Sequence, residues 1–480
     1  SFDVTHGALG QDMFVTALDA QTDLPKWSTF IGGKGDEYPK EMALAASGDV
    51  VITGWGNQFF PVTPGAYFKP PPTNLSGAFF CRLSADGTAL LYSGLLGASS
   101  TLDAGSSALT AEEEVVIIGE TIAQDLPVTP DAIDATPTGV GDNDGFILKL
   151  NSTGSNLLYA SYFGGAGNDD LKAVAIDANG DVIIAGGIAN PPPLPPGAFQ
   201  TTNVGPYIAR FSSDFSEIKA ATYFGGGCVD DPLDLAIGPD GSVILVGWTC
   251  STNLPTTPDS FQPTLGAGLG IAGYVTRFNT MLTNLIFSTF VGSGLGLRLE
   301  TVHVDGSGLI TVAGRGDSDG FPVTAGAFDL TYNGGTGDMV VGRLRPDGKK
   351  WYYGTYVGGT KAEVSEGEPV GLGVDATSAA LVGGFTASTN FPTTTGAWQG
   401  ALSGSTDVGL TKLTMLPTGV TRYGSATPGS LGLPAAGVTA MPKVASEEFG
   451  LTCTQGPPGC IGLLALSLSA LDQPLPAVGV

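Results

Sequence analysis

Apolar and polar residues alternate with period two in short runs along most of the chain. Examples are MFVTALDA from Met13, GFILKLNSTG from Gly145, PYIARFSSD from Pro206 and GYVTRFNT from Gly273. Clusters of Gly, Pro, Asn and Asp separate these runs. The pattern predicts half-buried β-strands joined by tight turns and gives a helical architecture little support.

The runs recur in a fixed order. A Pro/Thr-rich turn closing on a small residue and an aromatic or aliphatic one reads FDVTHGAL from Phe2, FPVTPGAY from Phe60, LPVTPDAI from Leu126 and LPPGAFQ from Leu194. It continues as LPTTPDSFQ from Leu254, FPVTAGAFD from Phe321 and FPTTTGAWQ from Phe391, giving intervals of 58, 66, 68, 60, 67 and 70 residues. Each copy precedes an alternating strand and then an aromatic strand ending in glycines, such as YASYFGG from Tyr159. An acidic loop follows, and then two apolar strands hinged by a turn, as in AVAIDANGDVIIAGG from Ala173. Each repeat is thus expected to form a four-stranded antiparallel sheet.

One such sheet cannot bury both of its faces. Radial stacking buries them, and closing the ring protects the edges. A linear solenoid is the rival, but it would use shorter coils and atypical end caps. The expected fold is all-β: a seven-bladed β-propeller over residues 1–460, with residues 461–480 as an extra strand or tail. Because the chain begins inside a repeat, Met13–Gly33 should supply the third and fourth strands of a closing blade. Stretches near 437–443 and 449–456 should supply its first and second, so that both ends lock the ring. The segment IGLLALSLSAL from Ile461 has no place in that count. It either displaces the N-terminal third strand or packs outside the ring.

Composition narrows the partners. The chain holds 73 Gly and 33 Pro among 480 residues, with 20 Lys+Arg against 45 Asp+Glu and a net charge of −25. An acidic chain lacks the basic footprint that nucleic acid requires and is repelled by anionic lipid. No apolar run reaches the ~18 residues of a spanning helix. The start at Ser1 is read as a processed N-terminus from which a signal peptide has been removed. Of five cysteines, Cys228 and Cys250 sit in loops at equivalent ends of neighbouring repeats, and Cys453 and Cys460 bracket a Gly-Pro-Pro turn. These four are disulfide candidates, while Cys81 lies in an apolar strand and reads as a buried thiol. Two disulfides suit an oxidising, extracellular location. The absence of a CxxC pair and the presence of only His6 and His303 argue against zinc.

The repeat resembles the SBBP (seven-bladed β-propeller) repeat family. The matching pattern is the aromatic-Ser/Thr-aromatic-Gly-Gly strand, an acidic loop, the A-V-A-x-D-x-x-G-D-V strand turn and the F-P-T-T-P-G-A-F turn. YASYFGGAGNDD with AVAIDANGDVIIAGG is the best copy, and the likeness extends to about Gly456. The last copy departs most, with RYGSATPGS in place of the aromatic strand and SEEFGLTCTQG in place of the strand turn. The resemblance implies a secreted or cell-surface bacterial protein with no fixed catalytic residues.

No GxSxG elbow, HExxH or P-loop is present. His6 reads as a turn residue, His303 as a structural one, and the DNDG stretch from Asp142 as a tight turn. RGDS from Arg315 resembles an adhesion tripeptide in an exposed loop, and Asn74 and Asn151 fit glycosylation acceptors. The acidic loops carry the chemistry: Asp36, Glu37, Asp103, Asp169, Asp170, Asp230, Asp231, Glu300, Glu363 and Glu366 should lie on one rim. Such a rim is a solvated face, a Ca²⁺ or cation site, or an acid/base pair for glycoside cleavage. Trp55 and Trp248 end second strands near it, either as blade packing or as a carbohydrate platform. The expected function is a non-catalytic binding or structural scaffold, with no cofactor beyond Ca²⁺. Its partners would be protein, a second copy of itself or carbohydrate, met through the loop faces and the C-terminal tail. The alternative is a propeller glycoside hydrolase or lyase working through the acidic rim.

Overall fold

The computed structural model describes residues 2–3, 11–19, 22–139, 141–202, 205–265, 270–364 and 370–415, together with the backbone of 435–438 and 451–454. Among these residues there is no α-helix, and the strands form a β-propeller with six blades. The first blade pairs Glu37–Leu44, Val50–Asn57, Ser76–Leu83 and Leu90–Leu96 in chain order, with Phe68–Lys69 on its outer edge. The second pairs Leu102–Leu109, Val115–Thr121, Asp144–Leu150 and Leu157–Phe163. The third pairs Asp170–Ile176, Val182–Gly187, Tyr207–Phe211 and Ile218–Tyr223. The fourth contains Asp230–Ile237, Val243–Thr249, Ala272–Phe278 and Leu285–Val291. The fifth contains Leu297–Val304, Ile310–Gly316, Asp338–Leu344 and Trp351–Val357. The sixth shows three described strands, Gly371–Val374, Ala380–Thr386 and Asp407–Leu413. Two hairpins stand apart from these blades: Met13–Leu18 with Pro25–Ile31, and Ala435–Val438 with Leu451–Thr454.

First strands of successive blades lie side by side around the axis. The core lies between blades, where facing sheets bury each other. Ile147 and Phe163 of the second blade pack with Leu171, Val182 and Ile184 of the third in one cluster. The next interface repeats this with Ile208, Leu235, Val243 and Leu245. A strand buried on both faces needs apolar residues on both, which is why VILV and VIIA runs occupy the second strands.

Two devices repeat from blade to blade. The first strand carries a bulge between Pro39 and Glu41, Ala104 and Ser106, Leu171 and Ala173, Pro232 and Asp234, and Leu299 and Thr301. Opposite each bulge stands a glycine, because the bulged strand closes onto the second one. A Cβ at Gly247 would sit 2.0 Å from the Asp231 carbonyl oxygen, and at Gly119 2.0 Å from that of Asp103. The second device is a cation near the end of the third strand that reaches the strand turns of its own and the next blade. Arg82 bonds Asp49 and Glu113, Arg277 bonds Asp240 and the Pro346 carbonyl, and Lys149 pairs with Glu114. The fully buried Arg210 bonds Asp177 and the carbonyls of Gly241 and Thr280.

The Pro/Thr turns run along the outer edge of each fourth strand rather than across a blade face. Thr257 donates its N–H to the Ser288 carbonyl at 3.0 Å, and the Ser288 N–H donates to the Thr257 hydroxyl at 3.2 Å. Thr63 with Ser93, Thr129 with Ala160 and Thr324 with Gly354 repeat this, so the open edge is satisfied. Further along, Asp329 N–H meets the Thr355 hydroxyl and Tyr356 N–H meets the Asp329 carbonyl. Asp3 makes the same two contacts with Thr29 and Phe30. Phe2-Asp3 therefore stands in register with Phe328-Asp329, at the end of a Pro/Thr turn. The sequence alignment that matched Phe2 with the opening Phe of the other copies is corrected by this pairing.

The Met13–Ile31 hairpin touches blades on both sides. Trp27 Nε1 donates to the Ala85 carbonyl of the first blade at 3.2 Å. On the other side Asp23 accepts from Lys412 of the sixth blade at 2.8 Å. His6, Glu366, Cys460 and the 461–480 segment lie outside the described residues, as does the side chain of Cys453.

Candidate functional site: the axial mouth

The acidic rim resolves into two sets with different surroundings. Glu37, Asp169, Asp230 and Glu363 are buried where a glycine-rich loop enters the first strand. Asp169 accepts the N–H groups of Gly165 at 2.9 Å and Ala189 at 2.6 Å. Asp230 accepts the Gly226 N–H at 2.7 Å and the hydroxyls of Ser251 and Thr249. Glu37 accepts the Gly33 N–H at 3.3 Å, and Glu363 the Thr386 hydroxyl at 3.2 Å. These carboxylates hold loops and do not face solvent. Burial pushes Asp169 up to about 6 and Glu37 up to about 7, with the Gly165 and Gly33 N–H groups pulling the other way. Asp36 is an exposed acceptor for the Gln11 N–H.

The second set lines the mouth of the axis, one position along the strand. There the first and second strands of the first five blades place two residues directly opposite each other. The pairs are Tyr38 with Trp55, Asp103 with Glu120, Asp170 with Gly187, Asp231 with Trp248 and Arg298 with Arg315. The bulge lies two residues further on in each first strand, at Lys40, Gly105, Lys172, Leu233 and Glu300. Around the ring the lining therefore passes from aromatic through acidic to cationic.

Tyr38 and Trp55 stack with ring centroids 4.0 Å apart, and Arg298 lies 5.6 Å over the Trp248 ring. Lys172 Nζ meets Asp170 at 2.5 Å. Burial lowers the Lys172 pKa, but Asp170, Asp231 and Glu120 outweigh it and the net shift is upward. Asp103, Glu120 and Asp231 are all raised, first by desolvation and then by the neighbouring Asp170 charge. Lys172 opposes each of these shifts. Glu300 is raised by burial while it accepts the Val370 N–H at 2.9 Å from the next blade. Gly187 leaves a notch in the ring, since a Cβ there would meet nothing within 4 Å.

The Cys228–Cys250 disulfide forms, with Cα atoms 5.4 Å apart. It ties the loop before Asp230 to the strand end after Trp248, bracing one side of the mouth. Cys81 is a buried thiol, pushed up to about 12 by desolvation. The Arg-Gly-Asp stretch is not an exposed loop: Arg315 is buried in a strand and bonds Asp317 at 2.5 Å and the Thr336 carbonyl at 2.7 Å. His303 is half-buried on the fifth first strand opposite Thr311, and burial lowers its pKa. Sequence reasoning missed Tyr38, Glu120, Lys172, Arg298 and Arg315 as mouth residues. The signal was available one residue after each second-strand glycine, where the repeats carry Trp55, Glu120, Gly187, Trp248 and Arg315.

Among the described residues no group of three or more His, Cys, Asp or Glu side chains is placed to hold one metal ion. No described helix is long and apolar enough to cross a membrane. No family model matches the chain, and no curated protein matches it in sequence. Among solved structures it is remotely similar to BamB from Moraxella catarrhalis, at 14% identity and TM-score 0.32 over 74% of this chain and 87% of that one. A protein of unknown function from Dyadobacter fermentans is 12% identical with TM-score 0.38, over 79% of this chain and 95% of that one. An ulvan polysaccharide lyase is 11% identical with TM-score 0.36, over 71% of this chain and 78% of that one.

Proposed function

We propose that the protein is a non-catalytic, extracellular β-propeller scaffold that binds its partner at the axial mouth. One observation carries this reading: framework positions repeat from blade to blade while the mouth positions next to them differ. The glycines at 54, 119, 186, 247 and 314 recur, yet the residues that follow are Trp, Glu, Gly, Trp and Arg. Residues that serve only packing repeat with the repeat. A varied ring of buried and half-buried aromatic, acidic and basic groups around an axis suits recognition of a polyhydroxylated or amino-bearing glycan, or of a protein loop. The disulfide beside the mouth supports an oxidising compartment.

The ring is completed, in this reading, by a seventh blade built from the Met13–Ile31 hairpin and the C-terminal strands, as in SBBP-type repeats. Two contacts favour it. Lys412 reaches Asp23 as Arg277 reaches Pro346 in the following blade. Trp27 covers Gly87 as Tyr92 covers Gly154. The tail at 461–480 is then free to serve a partner or a second copy.

The test is binding of the intact protein to immobilised cell-surface polysaccharides and envelope proteins, with Trp55→Ala, Trp248→Ala and Asp231→Asn compared. Loss of binding at an unchanged Tm supports the scaffold. Time-dependent release of glycan fragments, abolished by Asp103→Asn or Asp231→Asn, would establish the hydrolase or lyase alternative instead.

A further inference from the structure

Carboxylates come in pairs at three of the six described junctions between successive sheets, all buried except the half-buried Asp12. In each, an Asp at the start of a third strand, or just before the Met13–Leu18 strand, faces the acid that opens the next blade: Asp12 with Glu37, Asp144 with Asp169, and Asp338 with Glu363. The geometry is the same each time. The second acid donates its backbone N–H to the carbonyl just before the first, Glu37 to Gln11 at 2.9 Å, Asp169 to Asn143 at 2.7 Å and Glu363 to Gly337 at 3.0 Å. At the other three junctions the same register positions hold Gly77 with Leu102, Ala272 with Leu297, and Gly205 with Asp230. Asp230, with no acid opposite it, has hydroxyl donors from Thr249 and Ser251. Third-strand acids thus appear where a second acid faces them, although two like charges in a dry site repel strongly.

The repulsion is relieved either by a proton shared within the pair or by a cation between the acids, and the buried oxygens show where. Asp144 Oδ2 is buried with no hydrogen-bond donor, and Asp338 Oδ1 and Glu363 Oε2 are buried with no donor except each other's carboxyl. All three residues are no more than 1% exposed. At the fifth-to-sixth junction the two oxygens converge: a Cβ on Gly358 would lie 2.5 Å from Asp338 Oδ1 and 2.9 Å from Glu363 Oε2. The glycine keeps that cradle open. Hydroxyls complete the oxygen-rich surroundings, Thr386 at 3.2 Å from Glu363 Oε1 and Thr138 at 2.7 Å from Asp144 Oδ1.

We propose that each of these carboxylate pairs holds one hard divalent cation, of which calcium is the best fit, pinning one blade to the next. Carboxylate, hydroxyl and backbone oxygens form the ligand type that calcium takes in flexible geometry, with water filling the shell. The Asp338–Glu363 junction carries the argument, the donor-less Asp144 Oδ2 extends it to Asp144–Asp169, and Asp12–Glu37 follows from its identical register. The cation is structural, and the sites are separate from the mouth residues proposed to bind a partner.

The experiment uses the full chain stripped with EDTA and titrated with CaCl₂ by calorimetry at pH 7.5, with Tm followed in parallel. The expected result is binding of two to three equivalents and a Tm several degrees higher in Ca²⁺ than in EDTA. Asp338→Asn and Asp144→Asn, which keep shape and remove charge, should each lose one equivalent and lower Tm in Ca²⁺. The opposite outcome is no heat, no effect of Ca²⁺ on Tm, and Asp338→Asn raising Tm at pH 7.5. That would mean each pair shares a proton instead, and the proposal falls. Measuring both variants keeps the test decisive if one of them fails to fold.

Discussion

Lys412 and Asp23 are 389 positions apart and their Nζ and Oδ1 atoms meet at 2.8 Å. Both side chains are partly exposed, so the pair itself contributes only ~0–1 kcal/mol. Its value is positional, because it joins the sixth blade to a hairpin that also leans on the first. Leu410, two residues away, occupies the register of Ile147, Ile208 and Val275, which are fully buried under the next blade, yet it is 49% exposed. The closed ring predicts that Leu410→Ala costs about 2–3 kcal/mol, the value for a covered leucine. Chemical denaturation of the full chain decides this, and a change under ~0.5 kcal/mol, typical of open surface, would exclude a closing blade there.

The bulge device gives a paired prediction within one sheet position. Gly247→Ala drives a Cβ into the Asp231 carbonyl at 2.0 Å, whereas Gly187→Ala meets nothing within 4 Å. Gly247→Ala should therefore destabilise by ~3 kcal/mol or more, and Gly187→Ala by less than ~0.5 kcal/mol. Denaturation midpoints at equal m-value measure both. Equal losses would mean that the close approach at Gly247 is not what the glycine serves.

Arg210 is the most deeply buried of the inter-blade cations, with Asp177, Asp181 and two backbone carbonyls of the next blade around it. Removing one member of such a network strands the rest, at about 3–5 kcal/mol. Arg210→Met is expected to cost that much. Lys349→Met, at a far more exposed contact with Asp259, should stay within ~1 kcal/mol. Comparable effects for the two would show that the buried cation does not hold blades together.

Much of this fold was readable because repeats expose their own rules. Period-two strands, Gly-Gly ends and Pro/Thr turns each recur at fixed offsets, so strand order within a blade could be written down from the chain. What one repeat could not reveal was direction. Asp169 and Asp170 are adjacent acids in one loop, and alternation sends the first into the core and the second toward the axis. Sequence marked both as rim residues, since charge gave no hint that a glycine N–H waited for one of them. Register at Phe2 failed for a related reason: FDVTHGAL matches the opening of the other turns in letters, but Asp3 pairs with Thr29 as Asp329 pairs with Thr355. The Arg-Gly-Asp tripeptide misled because a strand position, which buries Arg315, outranks a motif's usual loop setting.

Glu41 and Asp234, from the first and fourth blades, supply a pH test independent of any cation. Burial pushes Glu41 up to about 7, the Asp234 charge adds to this, and contacts from the Met42 N–H and Ser106 oppose it. Asp234 is itself raised to about 6 by burial although it accepts N–H groups from Val302 at 2.8 Å and Leu235 at 2.7 Å. Both acids bind protons more tightly folded than unfolded, so their contribution favours folding below the unfolded pKa and is lost as pH rises through the folded one. Stability in EDTA should therefore rise as pH falls from about 7.5 to about 5. The Glu41 shift alone is worth at most about 3 kcal/mol across that window. Below about pH 4 the trend should reverse, because the depressed Asp177 and Asp240 lose their arginine partners on protonation. Glu41→Gln should raise stability at pH 7.5 and flatten the slope between pH 7.5 and 5. A slope unchanged in Glu41→Gln, measured by urea denaturation at each pH, would show that the acids near the axis are charged and solvated at neutral pH.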